Sequence, residues 1–174
     1  MKLLVVIDMQ NDFVTGVLGT KEACQIVDGI ASFVNDYDGT VVYTKDTHGE
    51  DYLHTMEGEH LPVAHCIKGT AGWQVVDKID QALKNAKAKE FLKPTFGSKE
   101  LMDYVTELNT EETLEQVDLV GVCTDICAIS NAMLIKAAIP EVKLCVHQDL
   151  TAGVTPESHE NALNAMRMCH IEIV

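Results

Sequence analysis

A cysteine, a lysine and an aspartate occupy positions at which a parallel sheet would bring them together. Asp8 follows an apolar run, Lys93 ends a second run, and Cys127 comes just after a third, in the first turn of a segment with helical spacing. A thiolate is a nucleophile, and a helix N-terminus or a neighbouring cation makes a thiol more reactive. Jointly these residues predict a thiol hydrolase. Taken singly, Cys127 also fits a core position, Asp8 a turn cap, Lys93 a solvated lysine, and Cys123 with Cys127 half of a metal site.

The polar segment from Lys45 to Cys66 is rich in side chains that bind metals. An Asp-x-His pair in one extended segment offers two ligands, and a set of carboxylates and imidazoles suits Zn²⁺ or another borderline divalent ion. An open coordination position would make such an ion a substrate-binding centre. The alternative is a polar loop with incidental histidines. The candidate ligands are Asp46, His48, His54, Glu57, Glu59, His60 and His65.

Short β-branched runs alternate with longer segments of helical spacing, which is typical of βαβ units. We predict strands over 2–8, 40–44, 89–92, 117–122, 142–146 and 171–174. Helices are predicted over 20–35, 73–86 and 98–108, from Thr124 onward, and from Pro156 to Met168 with Thr155 as N-cap. Residues 45–70 form a long loop. The pattern predicts an α/β fold, a three-layer αβα arrangement with a doubly wound, mostly parallel sheet of five or six strands, in a single domain over 1–174. Ligands of such sheets bind outside the carboxyl ends of the strands.

Composition excludes several partners. The chain of 174 residues has a formal charge of −14, which repels nucleic acids and anionic lipid headgroups. Every apolar run is too short to span a membrane, and we expect neither a signal peptide nor an anchor. The six cysteines are widely spread, so we interpret them as reduced thiols, mostly buried, in a cytoplasmic protein.

Three segments together resemble the isochorismatase-like cysteine hydrolases. These are VIDMQNDF at positions 6–13, the strand end at Lys93, and GVCTDIC at positions 121–127. Within that family the chain is most similar to the nicotinamidases. KDTH at 45–48, followed by PVAHC at 62–66, resembles a metal loop that nicotinamidases have and isochorismatases lack. The resemblance therefore implies the isochorismatase-like fold over nearly the whole chain.

The resemblance also assigns the catalytic groups. Asp8, Lys93 and Cys127 match the family's catalytic triad in chain order. It implies a cis peptide between Val122 and Cys123, with the amides of Cys123 and Cys127 forming the oxyanion hole. On this basis Asp8 is the base, Cys127 the nucleophile, and Lys93 the cation that holds them.

For the metal, the resemblance implies one divalent ion, with Zn²⁺ preferred over Fe or Mn. Asp46, His48 and His65 match ligand positions directly. For the fourth ligand the resemblance leaves two candidates. His54 stands six residues after the first histidine and Glu57 nine residues after it, and each spacing occurs among nicotinamidases; we favour Glu57.

The substrate side departs from the family. The aromatic residue that usually precedes the Pro-x-x-His segment is replaced by Leu61, so recognition of the pyridine ring falls to Phe13 and Phe96, with Val122 beside them. The implied activity is hydrolysis of nicotinamide, a small uncharged amide, to nicotinate and ammonia through a thioester. The alternatives are a related amidase acting on a carbamoyl or ureido compound, and a catalytically silent binding module of the same fold. Self-association is implied by resemblance alone.

Overall fold

The computed structural model describes all 174 residues and contains one six-stranded sheet. The strand order is β3-β2-β1-β4-β5-β6, and every neighbouring pair is parallel. This confirms the predicted doubly wound α/β class. The strands are β1 (Lys2–Ile7), β2 (Thr40–Asp46), β3 (Lys89–Lys93), β4 (Gln116–Val122), β5 (Lys143–Ala152) and β6 (Glu172–Ile173).

Helices cover both faces of the sheet. They are α1 (Asn11–Val14), α2 (Lys21–Asp36), α3 (Met56–His60), α4 (Asp77–Asn85), α5 (Lys99–Glu111), α6 (Ile129–Ala138) and α7 (Pro156–Met168). Apolar residues of α2 and α4 pack in one core, and those of α5, α6 and α7 pack in the other. The sheet is therefore the middle of three layers, as the alternation of strands and helices predicted.

Strand β1 lies at the centre of the sheet and supplies both cores. Successive side chains of a strand point to opposite faces, so Leu3, Val5 and Ile7 pack against one helical layer while Leu4 and Val6 pack against the other. Burial on both faces explains why this strand is a continuous apolar run rather than an alternating one.

Some predicted boundaries were wrong. The helix predicted over 73–86 begins only at Asp77, because Val75 bridges Gln10 and the amide of Val76 donates to the carbonyl of Met9. The predicted loop 45–70 contains a 3₁₀ turn over Tyr52–His54 and then α3. Strand β5 continues to Ala152, well beyond the predicted end. The predicted N-cap at Thr155 is confirmed, since its hydroxyl accepts from the amide of Ser158 in a capping box.

The chain reverses its winding direction between β1 and β4. After β3 at one edge, it returns to lay β4 beside β1. Gly121 of β4 pairs with Ile7 at a φ of +113°, and a Cβ there would overlap the Ile7 carbonyl oxygen, so only glycine fits. The carboxyl ends of β1 and β4 thus lie side by side at the switch point, where ligands of this fold class bind.

None of the helices combines the length and the apolar character that crossing a bilayer requires.

Candidate active site

Three of the predicted catalytic side chains meet beneath the floor of a cavity at the switch point. Lys93 Nζ lies 2.6 Å from Asp8 Oδ2 and 3.4 Å from Cys127 Sγ, and all three side chains are buried. The Thr44 hydroxyl donates to Asp8 Oδ1 at 2.7 Å and accepts from the Asp8 amide at 3.2 Å. Each group stands at or just after the end of a different strand, as the sequence predicted. Thr44 was not predicted, because nothing in the sequence distinguishes it from other strand threonines.

Burial governs the protonation of these groups. It raises the pKa of Asp8 although the Lys93 ammonium opposes the shift. It also raises the pKa of Cys127 well above that of a free thiol, and the neighbouring Asp8 carboxylate adds to the effect. Burial lowers the pKa of Lys93, but Asp8, Cys127 and Asp46 outweigh it and the net shift is upward. Cys127 therefore rests as a thiol, and the 2.6 Å contact pairs the Asp8 carboxyl group with the Lys93 ammonium.

Cys127, the predicted nucleophile, stands on a turn that follows β4 directly. The Val122–Cys123 peptide is cis, as the resemblance implied, and residues Thr124–Ala128 form one π-helical turn before α6. The Cys123 amide donates to no acceptor of the protein. Cys123 is half-buried at the cavity wall, so its amide is available to a ligand above Cys127. Burial raises the pKa of the Cys123 thiol to about 12, so that side chain remains neutral.

Side-chain hydrogen bonds hold this turn in place. Thr124, which is fully buried, places its hydroxyl 2.8 Å from His159 Nδ1 of α7. The Asp125 carboxylate accepts from the amide of Val154 at 3.1 Å. Asn131 of α6 donates to the carbonyls of Cys127 and Phe96 at 2.8 and 3.1 Å. None of these contacts was predicted; except for the bond from Asn131 to the Cys127 carbonyl, they join residues that are about 30 positions apart in sequence.

A second cluster adjoins the triad and matches the predicted metal ligands. Ligand atoms of Asp46, His48, Glu57 and His65 all lie within 4.8 Å of one another. Asp46 Oδ2 is 2.9 Å from His48 Nε2 and 3.5 Å from His65 Nε2. Glu57 Oε1 is 3.6 and 3.7 Å from the same two nitrogens. Two imidazoles and two carboxylates form a donor set suited to Zn²⁺, Fe or Mn.

The hydrogen bonding of His65 supports that fit. Its Nδ1 is 2.8 Å from the carbonyl oxygen of Val63, and because a carbonyl only accepts, Nδ1 must carry the proton. In the neutral ring this leaves the lone pair on Nε2, which faces Asp46 and Glu57. An outer nitrogen donating to a carbonyl is the usual arrangement of metal-binding histidines.

The structure distinguishes the two candidates for the fourth position. Glu57 on α3 reaches the cluster, whereas His54 in the preceding 3₁₀ turn is exposed and is not part of it. His60 also lies outside the cluster, with Nδ1 2.8 Å from the carbonyl oxygen of Met56. The two short helices, which periodicity did not reveal, are what turn Glu57 inward.

Gln10 and Tyr52 hold the cluster in place. The Gln10 side chain accepts from the Asp46 amide at 2.7 Å and donates to the Asp46 carbonyl at 2.8 Å. The Tyr52 ring packs against His48 and His65, each at a centroid distance under 5 Å. Gln10 lies within the family motif at positions 6–13, but the motif did not indicate that this side chain would hold Asp46.

The cavity above these groups has a volume of about 910 Å³ and contains the metal-ligand side chains, Cys123 and Cys127 in its lining. Phe13, Leu61 and Phe96, for which substrate binding is predicted, also line it. Val122 does not, because its side chain is 1% exposed and packs in the core between the sheet and α2.

The family model for the Isochorismatase domain matches residues 2–174. The chain belongs to the Isochorismatase family. It is 28% identical over 196 residues to the nicotinamidase/pyrazinamidase of Mycobacterium tuberculosis, covering 100% of this chain and 98% of the relative. It is also 28% identical over 221 residues to the nicotinamidase of Saccharomyces cerevisiae, covering 100% and 99%.

A crystal structure of a nicotinamidase/pyrazinamidase from Bacillus subtilis resembles the chain over 99% of its residues and 98% of that protein's, with a TM-score of 0.84 and 26% identity. The chain is a nicotinamidase-like hydrolase of the Isochorismatase family, which confirms the resemblance drawn from its motifs.

Proposed function

We propose that the protein is a metal-containing amidohydrolase that converts nicotinamide to nicotinate and ammonia. One observation supports this most directly. Lys93 Nζ lies 3.4 Å from the Cys127 sulfur and 3.3 Å from Asp46 Oδ1, so the nucleophile and the metal-ligand cluster are within about 7 Å of each other. A small aromatic amide spans such a distance, with its carboxamide over Cys127 and its ring nitrogen toward the cluster.

The reaction begins with proton transfer between two groups that share Lys93. Asp8 Oδ2 has no hydrogen-bond donor other than the Lys93 ammonium with which it pairs. As the Cys127 sulfur attacks the carboxamide carbon, its proton passes to Asp8, and the carbonyl oxygen becomes an oxyanion. The amides of Cys123 and Cys127 stabilise that oxyanion, a contribution worth roughly 3–4 kcal/mol per donor in comparable sites.

Breakdown of this intermediate releases ammonia. The C–N bond breaks as Asp8 returns the proton to the departing amine, which leaves a thioester between Cys127 and the acyl group. Water then attacks the thioester carbon while Asp8 takes one of its protons. Collapse expels the Cys127 sulfur, which regains the proton from Asp8, and the acid departs.

Asp46, His48, Glu57 and His65 would hold a divalent ion, Zn²⁺ first. Such an ion would supply a Lewis-acid contact for the ring nitrogen that orients the substrate. The protein's own groups perform every bond-making step. The six unpaired cysteines fit a reducing compartment, and we place the enzyme in the cytoplasm.

A substrate panel with and without chelator tests the proposal. Ammonia release is measured from nicotinamide, pyrazinamide and N-carbamoyl compounds. Chelator-sensitive turnover of nicotinamide supports it, preference for a carbamoyl compound assigns a related amidase, and no turnover of any compound assigns a silent binding module.

A Cys127→Ala variant examines the nucleophile. Ammonia release should disappear while metal content and thermal stability remain, because the buried sulfur is replaced by a smaller side chain at the edge of the core. Cys24→Ala is the matched control, since Cys24 is exposed and lies outside the cavity lining. Substantial turnover by the Cys127 variant would remove Cys127 from the mechanism.

A further inference from the structure

The cavity is much larger than nicotinamide requires. Nicotinamide has nine non-hydrogen atoms, and at ~30 Å³ per atom, the share of a water molecule in the liquid, it occupies roughly 270 Å³. The cavity measures about 910 Å³, so about two thirds of it remains unfilled. Cavities of this size hold drug-sized ligands.

Apolar side chains surround the mouth of this space. Four of them, which we call the apolar rim, come from three separate segments and are exposed: Met56 (78%), Leu61 (37%), Phe96 (45%) and Val154 (50%). Single exposed apolar residues are ordinary on protein surfaces, whereas several converging on one cavity indicate a ligand. Asp46, His48 and His65 are buried on the floor, whereas exposed polar side chains, those of His60 and Thr95, share the mouth with the apolar rim.

The chemistry of the floor fixes which part of a substrate faces the rim. If the carboxamide on ring carbon 3 meets Cys127 and ring nitrogen 1 points to the metal ligands, carbon 2 lies between these contacts and faces Lys93. Carbon 5 is opposite carbon 2 on the six-membered ring. A substituent on carbon 5 therefore points away from the floor and into the apolar rim.

We propose that this enzyme takes aromatic carboxamides larger than nicotinamide, in which an apolar substituent opposite the reacting edge fills the apolar rim. The inference rests on the proposed function and adds the class of substrate. Each buried methylene favours the transition state by about fourfold, and partial exposure of the rim reduces this gain. We expect 5-propylnicotinamide to exceed nicotinamide in kcat/KM on the order of tenfold.

The test compares the two amides on three proteins. In the wild-type protein the ratio of kcat/KM values, 5-propylnicotinamide over nicotinamide, should be about ten. Met56→Gln should lower this ratio severalfold, because a polar amide replaces the apolar Met56 side chain at nearly equal size. Met168→Gln is the matched control, as Met168 is 82% exposed and is absent from the cavity lining, and it should leave the ratio unchanged. Binding of both amides to a Cys127→Ala variant by calorimetry measures the same preference without turnover.

Each outcome separates this inference from the proposed function. Turnover of nicotinamide with a ratio at or below one refutes the inference and leaves the proposed function intact. A high ratio that Met56→Gln does not change refutes the role of the apolar rim. Failure of both amides to bind or react refutes both proposals. If the ratio is near one and the protein is a dimer that Met56→Gln dissociates, the apolar rim contacts a second copy of the chain, and the inference is refuted.

Discussion

Thr44→Val removes a hydroxyl that hydrogen-bonds the Asp8 carboxylate, the proposed base, and keeps the shape of the side chain. That hydroxyl donates to Asp8 Oδ1 at 2.7 Å and accepts from the Asp8 amide at 3.2 Å, and both residues are buried. A hydrogen bond to a charged group contributes about 1.5–3 kcal/mol, and 1.36 kcal/mol corresponds to one pKa unit. The variant should therefore destabilise the ionised carboxylate by about that hydrogen-bond energy and raise the pKa of Asp8, already elevated by burial, still further.

The pH profile of kcat/KM reports this change. Its acid limb follows the ionisation of the essential base in the free enzyme, so the limb should move to higher pH in Thr44→Val while activity recovers above it. Thr151→Val is the control, because Thr151 is a buried strand threonine whose hydroxyl donates only to backbone carbonyls. It should lose stability without moving the limb. An unshifted limb in Thr44→Val would show that the Thr44 bond does not support ionised Asp8.

Three further predictions follow from other contacts. Glu57→Gln should weaken Zn²⁺ binding at least ~10-fold in a competition titration, whereas His54→Asn, in the exposed turn outside the cluster, should not. His159→Leu removes the hydrogen-bond partner of the Thr124 hydroxyl and should lower kcat more than it changes KM. His159→Asn keeps an acceptor near the position of Nδ1 and should restore kcat. Equal kcat values for the two variants would refute a positioning role. Burial raises the pKa of Asp118, but hydrogen bonds from His147, Tyr37 and Gln116 outweigh it, so its folded pKa is below 3.8. The ionised carboxylate therefore stabilises the fold above pH 3.8, and this stabilisation should be lost as the pH falls through the folded pKa. Urea unfolding of wild type and Asp118→Asn at pH 6 and 3 measures the loss.

The sequence predicted those parts of the site that depend on strand ends. Asp8, Asp46 and Lys93 each follow or end an apolar run, and a parallel sheet brings such positions together whatever the details of packing. Residues that act across long sequence distances were not predictable in this way. The bond between Thr124 and His159 depends on how α7 packs beside the turn after β4, which no local pattern encodes.

The loop before α4 shows a different limit of prediction. Its histidines and acids predicted a metal-binding region, but spacing alone left His54 and Glu57 as alternatives. The choice depends on α3, whose five residues are too few for helical periodicity to be visible. Thr55 caps this helix by accepting from the amide of Gly58, and the cap fixes the direction in which Glu57 points.

The charges of the floor explain why the triad and the metal-ligand cluster belong to one site. Asp8, Asp46 and Glu57 contribute three negative charges and Lys93 one positive charge, so the floor has a net charge that a divalent ion would neutralise. The proposed proton transfer from Cys127 to Asp8 would move charge within this group without changing its total, which is the step a buried site permits at least cost. A preformed thiolate would instead add a buried negative charge beside Asp8, consistent with the raised pKa of Cys127. A floor that is negative by itself, and neutral at most with a divalent ion, favours an uncharged amide over an anionic substrate and favours departure of a carboxylate product.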